Sequence, residues 1–150
     1  MTDFEWSRPG MAIRTGAELQ AARKAAAERF MAIATQYVPE GYTVEYRKSL
    51  SGRHWGKRKL IQVPRPVTRK ALYIFLHECA HAHLHRDHRK KVHIMEMEAE
   101  KWAHEKMREH GIAVPRKMTT RAKAYVGRKI AAAIARGAKR IDPEARRFAQ

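Results

Sequence analysis

Between Thr15 and Tyr37 apolar residues recur at Leu19, Ala22, Ala26, Phe30, Ile33 and Tyr37, one face of a helix, and Thr15 and Glu18 stand at capping-box spacing before it. The pattern predicts a packing helix over 16–37. "VPEGYTVEYRKSL" interrupts it with Pro39 and Gly41 and then alternates at Tyr42, Val44 and Tyr46, as a half-buried strand does. In "SGRHWGKRKLIQVPRP" a turn leads to an apolar run through Leu60, Ile61 and Val63, stopped by Pro64 and Pro66. Two or three antiparallel strands are expected. From Thr68, a good N-cap, the pattern becomes helical, and "RKALYIFLHECAHAHLH" is apolar on nearly every side, as for a helix at the centre of a small domain. A basic loop, "RDHRKKVH", follows. "IMEMEAEKWAHEKMREHG" is then rich in helix formers and stops at Gly111, ahead of Pro115. A last long helix is predicted from near Thr119 to Gly137, with Ala122, Tyr125, Val126, Ala133 and Ile134 inward, and Asp142 and Pro143 open a short terminal helix. With no internal repeat and no low-complexity linker, residues 1–150 are expected to form one α+β domain.

The central apolar helix contains His77, Glu78 and His81, an HExxH pattern. Two imidazoles and a carboxylate in such a helix are costly without a partner. Positions i and i+4 lie one turn apart on the same face, so both rings can bind one zinc ion, and Glu78 is set beside the metal as the general base for a zinc-bound water.

A catalytic zinc site needs a third protein ligand and an open position. Asp87 and His88 suit a chain that turns out of the helix after the second histidine, but Leu84 stands where such a turn needs glycine. His85 reads as a helix C-terminal histidine, since three successive turns of a straight helix do not converge on one point. The next helix offers Glu96, Glu98 and Glu100. Glu96 and Glu100 share a face with Ala99 and Ala103, whose small side chains permit close approach to the metal helix, whereas Glu98 points elsewhere. Glu96 is the preferred zinc ligand, and Glu100, one turn deeper, is placed to orient a ligand histidine from behind. Glu100, Asp87 and His88 stay open as alternatives to Glu96.

"HECAH" followed by "EMEAEKWA" resembles the ImmA/IrrE-type zinc metallopeptidase pattern over about Tyr73 to Ala103. The resemblance implies a zincin-like fold of minimal gluzincin build, with Glu96, three residues before Ala99, on zinc. Glu100 stands where that family usually has Asn, and Trp102 where it has Phe. A looser similarity, carried by "GKRKLIQV" and the basic character, links the chain to SprT/Spartan-like proteases, which act on proteins crosslinked to DNA. The fold implied is an N-terminal helix, a small antiparallel sheet, the HExxH helix, a third-ligand helix and C-terminal helices. The strand around Lys59 to Val63 is expected to form the edge above the metal, where an extended substrate adds as a further strand.

Charge changes the picture of partners. The formal net charge of +17 is uneven: residues 47–70 hold nine Lys or Arg and no acid, and residues 111–150 hold eleven against Asp142 and Glu144. Such a field favours phosphate backbones or acidic proteins, with Lys57, Arg58 and Lys59 as candidate DNA or RNA contacts. No apolar run is long enough to span a bilayer, the N-terminus does not read as a signal peptide, and the single Cys79 has no intrachain partner, so a cytoplasmic setting is expected. The function expected is hydrolysis of peptide bonds in a protein substrate by Glu-assisted attack of zinc-bound water. The alternative is a basic nucleic-acid-binding or regulatory module on a zincin fold with little or no peptidase activity. Tyr73, His93 and Tyr125 are candidates for stabilising the transition state beyond zinc.

Overall fold

The computed structural model describes residues 15–87 and 89–150. Its elements are α1 (Gly16–Gln36), β1 (Thr43–Tyr46), β2 (Arg53–Trp55), β3 (Leu60–Val63), α2 (Arg69–Leu84), α3 (Val92–Glu109), α4 (Arg116–Ala135) and α5 (Pro143–Ala149). The helix starts follow local chemistry. Thr15 and Glu18 form the reciprocal capping box of α1, the Thr68 hydroxyl accepts from Ala71 N at 3.1 Å, and Asp142 Oδ1 accepts from Ala145 N at 2.8 Å ahead of Pro143. Gly111, with φ +68°, ends α3 in the left-handed region that a side chain resists.

The protein is α+β, but the small sheet is mixed rather than antiparallel. Its order is β1-β3-β2: β2 and β3 form an antiparallel hairpin, while β1 pairs with β3 in parallel, Thr43 opposite Leu60 and Tyr46 opposite Val63. The chain runs along β1, returns along β2, and then inserts β3 between them. Insertion of β3 puts the most apolar strand in the middle, where Ile61 and Val63 are wholly buried. The expected edge strand is therefore the central one, and the free edge on the hairpin side belongs to β2.

Helix α2 packs its Leu72, Phe75, Leu76 and Cys79 against Ile61 and Val63, with Phe30 and Ile33 of α1 and Ala103 and Met107 of α3 completing this core. Each such large side chain contributes about 2 kcal/mol of transfer free energy on burial. A second cluster joins Met97 of α3 to Val126 and Ile130 of α4 and Ala145 of α5. Two expected inward residues lie outside. Leu19 is exposed because the first turns of α1 run past the core, and Ile134 is 51% exposed because it lies one turn beyond Ile130, the last buried residue of the α4 stripe Met118, Ala122, Val126 and Ile130. The start of α4 at Arg116, earlier than expected, brings Met118 into that stripe. No helix among the described residues is long and apolar enough to cross a membrane.

Candidate metal centre

Helical spacing on α2 brings the Nε2 atoms of His77 and His81 to 3.1 Å from each other. Ala99 and Ala103 are fully buried and let α3 lie close against α2, which carries Glu96 up to the pair. Its Oε2 lies 3.2 Å from His77 Nε2 and its Oε1 3.5 Å from His81 Nε2. Donors about 2.0–2.1 Å from one tetrahedral ion stand about 3.3 Å apart. The two Nε2 atoms stand close to that spacing and one Glu96 oxygen lies near each of them, and two imidazoles with one carboxylate are an ordinary donor set for a divalent transition metal. His77, His81 and Glu96 thus form a triad able to hold a metal ion.

Each histidine also has a further polar group close behind it. Glu100 Oε1 lies 3.1 Å from His77 Nδ1. His81 Nδ1 faces His85 Nδ1 at 3.0 Å, His85 Nε2 lies 3.7 Å from Glu98 Oε2, and Lys90 Nζ grips both Glu98 oxygens at 2.9 Å. The polarity of this chain follows from the metal site. A His81 that offers the Nε2 lone pair keeps its proton on Nδ1, so His85 Nδ1 accepts and His85 Nε2 carries the proton directed at Glu98. His85, the C-cap of α2, is 1% exposed, so it is a buried partner of His81 rather than a solvated helix-end histidine. His85→Ala is expected to weaken metal affinity about 10- to 100-fold while leaving the fold intact, as measured by chelator competition. Unchanged affinity would reduce His85 to packing.

Glu78 points to the other side of the triad, against the segment that leads into β2. A Cβ added to Gly52 would come within 2.5 Å of Glu78 Cγ and 2.6 Å of its Oε1, so only glycine lets this backbone lie over the carboxylate. Burial lifts the Glu78 carboxyl to about 7; His81 and Arg47 pull it down and Glu96 pushes it up. His54 of β2 stacks at 13° and 6.2 Å on the His81 ring, and the Tyr42 hydroxyl stands 3.0 Å from His54 Nε2. Triad and Glu78 line a cavity of about 520 Å³ between β2, α2, α3 and α4.

The remaining carboxyls of the centre are driven apart. Burial would raise Glu96, but hydrogen bonds to His77 and His81 and their charge overcome it and hold Glu96 far below the usual carboxylate range. Burial lifts Glu100 to about 8, opposed by Arg121. A carboxyl raised from 4.5 binds more protons in the folded than in the unfolded chain, so its contribution to stability falls as pH rises between about 4.5 and 8. The buried His85 and His93 and the half-buried His104, whose pKa values are lowered by burial, act in the opposite sense below about 6.5. The test is therefore a difference between proteins. Relative to wild type, metal-free Glu100→Gln is expected to gain several degrees in Tm between pH 5 and pH 8. A difference independent of pH would show that Glu100 titrates as it does in the unfolded chain.

Other sequence candidates fall in different places. Asp87 is exposed and pairs with Arg89 at 3.0 Å, away from the triad, and His88 lies outside the described residues. Tyr73 and Tyr125 line the metal cavity, as does Arg121, which the sequence did not single out. His93 lines a different cavity and is withdrawn as a transition-state group. Lys57, Arg58 and Lys59 are exposed on the β2–β3 turn, with Arg58 5.5 Å over the ring of Trp55, itself a wall of the metal cavity. The chain matches no family model, no curated protein and no solved structure.

Proposed function

We propose that the protein is a zinc metallopeptidase of minimal gluzincin build, related in design to the ImmA/IrrE type, that hydrolyses peptide bonds in a protein substrate. The observation that carries this reading is the convergence of His77, His81 and Glu96 beside a buried Glu78 in an open cavity flanked by an edge strand. Zinc held by the triad would supply Lewis acidity toward the peptide carbonyl and toward water. Glu78 takes the proton of the attacking water and delivers it to the leaving amine. The free edge of β2 pairs with the backbone of an extended substrate, and the exposed apolar Leu50 and Val92 on the cavity wall receive its side chains. Tyr125 and Arg121 of α4 supply donors for the carbonyl oxygen.

A purely structural zinc site, as in a regulatory or nucleic-acid-binding module, has no use for Glu78, whose burial beside the triad is costly. Cys79 is packed in the core with its thiol pushed far up by burial, which agrees with the reducing cytoplasm where we place the reaction. The test is zinc analysis together with peptide-library digestion. One zinc per chain and chelator-sensitive cleavage support the proposal. Bound zinc without cleavage of any peptide or unfolded protein would overturn it in favour of the module.

A further inference from the structure

A second cavity, of about 460 Å³, lies where the start of α3 meets the end of α4. Lys90, Lys91, Lys129 and Arg136 line it, and no acidic residue does. Lys90 also serves Glu98, and Lys91 Nζ donates to Arg140 O at 3.3 Å. Helix α3 opens into this basic environment with no side-chain cap on its N-terminus and no acid in its first turn. The positive end of its dipole is thus left without the counter-charge that helices usually place there.

His93 gives the independent sign of a ligand. It lines the cavity, is 2% exposed, and its buried Nε2 has no hydrogen-bond partner. A buried polar atom left unsatisfied is destabilising, and a bound acceptor would remove that cost. Cations, an uncapped helix start and an unsatisfied imidazole all ask for a compact anion with several acceptor oxygens, as a phosphate has.

An adjoining cavity shares Lys91 and adds Lys139, Arg140 and Arg146. The one acid there, Asp142, already accepts the N–H of Ala145. Two basic cradles with a common lysine suit phosphates in series better than a single ion. Neither is lined by Phe, Tyr or Trp, so no platform for stacking a base is present in them. We propose that these two cavities hold successive backbone phosphates of a polynucleotide without reading its sequence, with His93 Nε2–H donating to a phosphate oxygen in the first cradle.

The test uses the full chain loaded with zinc and a short fluorescein-labelled DNA duplex, titrated by anisotropy at several salt concentrations. Arg136→Ser/Lys139→Ser removes one exposed cation from each cradle. This variant is expected to bind about tenfold more weakly and to flatten the log–log salt dependence by about two. Arg136→Glu should weaken binding further, and duplex addition should shift the His93 ring signals in NMR spectra. Wild-type affinity and salt slope in the double variant, with binding lost in Lys57→Ser/Arg58→Ser/Lys59→Ser, would move the phosphates to the β2–β3 turn and overturn the proposal. So would a His93 ring that responds to inorganic pyrophosphate while no duplex binds, because the cradle would then serve a small phosphate.

Discussion

Glu78→Gln is expected to retain one metal ion per chain and the wild-type fold while lowering peptide hydrolysis by about 10²- to 10⁴-fold, the usual contribution of a positioned acid–base group. Glutamine matches the side chain in shape, so it fits beside Gly52 as glutamate does. It also removes no metal donor, because the triad is His77, His81 and Glu96. Burial already favours the uncharged form of Glu78, so a neutral amide brings no new desolvation cost. What disappears is the ability to take a proton from water and pass it on. Metal analysis and thermal unfolding establish that the variant is otherwise intact, and the peptide assay then isolates the proton transfer. Hydrolysis at the wild-type rate would remove Glu78 from the mechanism.

The parts of this centre that the sequence reveals are those governed by periodicity within one helix. His77 and His81 are one turn apart on any α-helix, and Glu96 and Glu100 share a face with two alanines whatever lies opposite. Periodicity does not say which elements meet. The strand pattern around Leu60 to Val63 shows an apolar strand, but whether it is central or marginal depends on β1 taking the side opposite the hairpin. Likewise, His85 looks like a helix-end residue until the chain beyond it brings Glu98 and Lys90 back to its ring. Gly52 carries no local mark at all, because the demand for glycine comes from Glu78 on another element. The two apolar residues misplaced at helix ends, Leu19 and Ile134, sit on the right period but past the point where a neighbour covers them.

Glu96→Ala is expected to cost more metal affinity than any change behind the ligands, and so more than about 100-fold. The reason is geometric. Glu96 is the only member of the triad supplied by α3, and its two oxygens span the gap to both Nε2 atoms. Its loss leaves His77 and His81, two neutral nitrogens on one helix, with no anionic donor to offset the ion's charge. Glu100 does not replace it without moving, because its oxygen is directed at His77 Nδ1, on the far side of the ring from the triad. Glu100→Ala should therefore weaken metal binding within the about 10- to 100-fold range of an outer partner, and Asp87→Ala should leave it unchanged. Chelator competition on these variants, with His88→Ala as a further arm, orders the carboxylates by their distance from the ion. Full occupancy in Glu96→Ala together with metal loss in Glu100→Ala would exchange their roles, and loss in Asp87→Ala or His88→Ala would move the third ligand to the α2–α3 loop. If Glu96 holds the ion, metal also ties α3 to α2, so chelation should lower the Tm of wild type and leave that of Glu96→Ala unmoved.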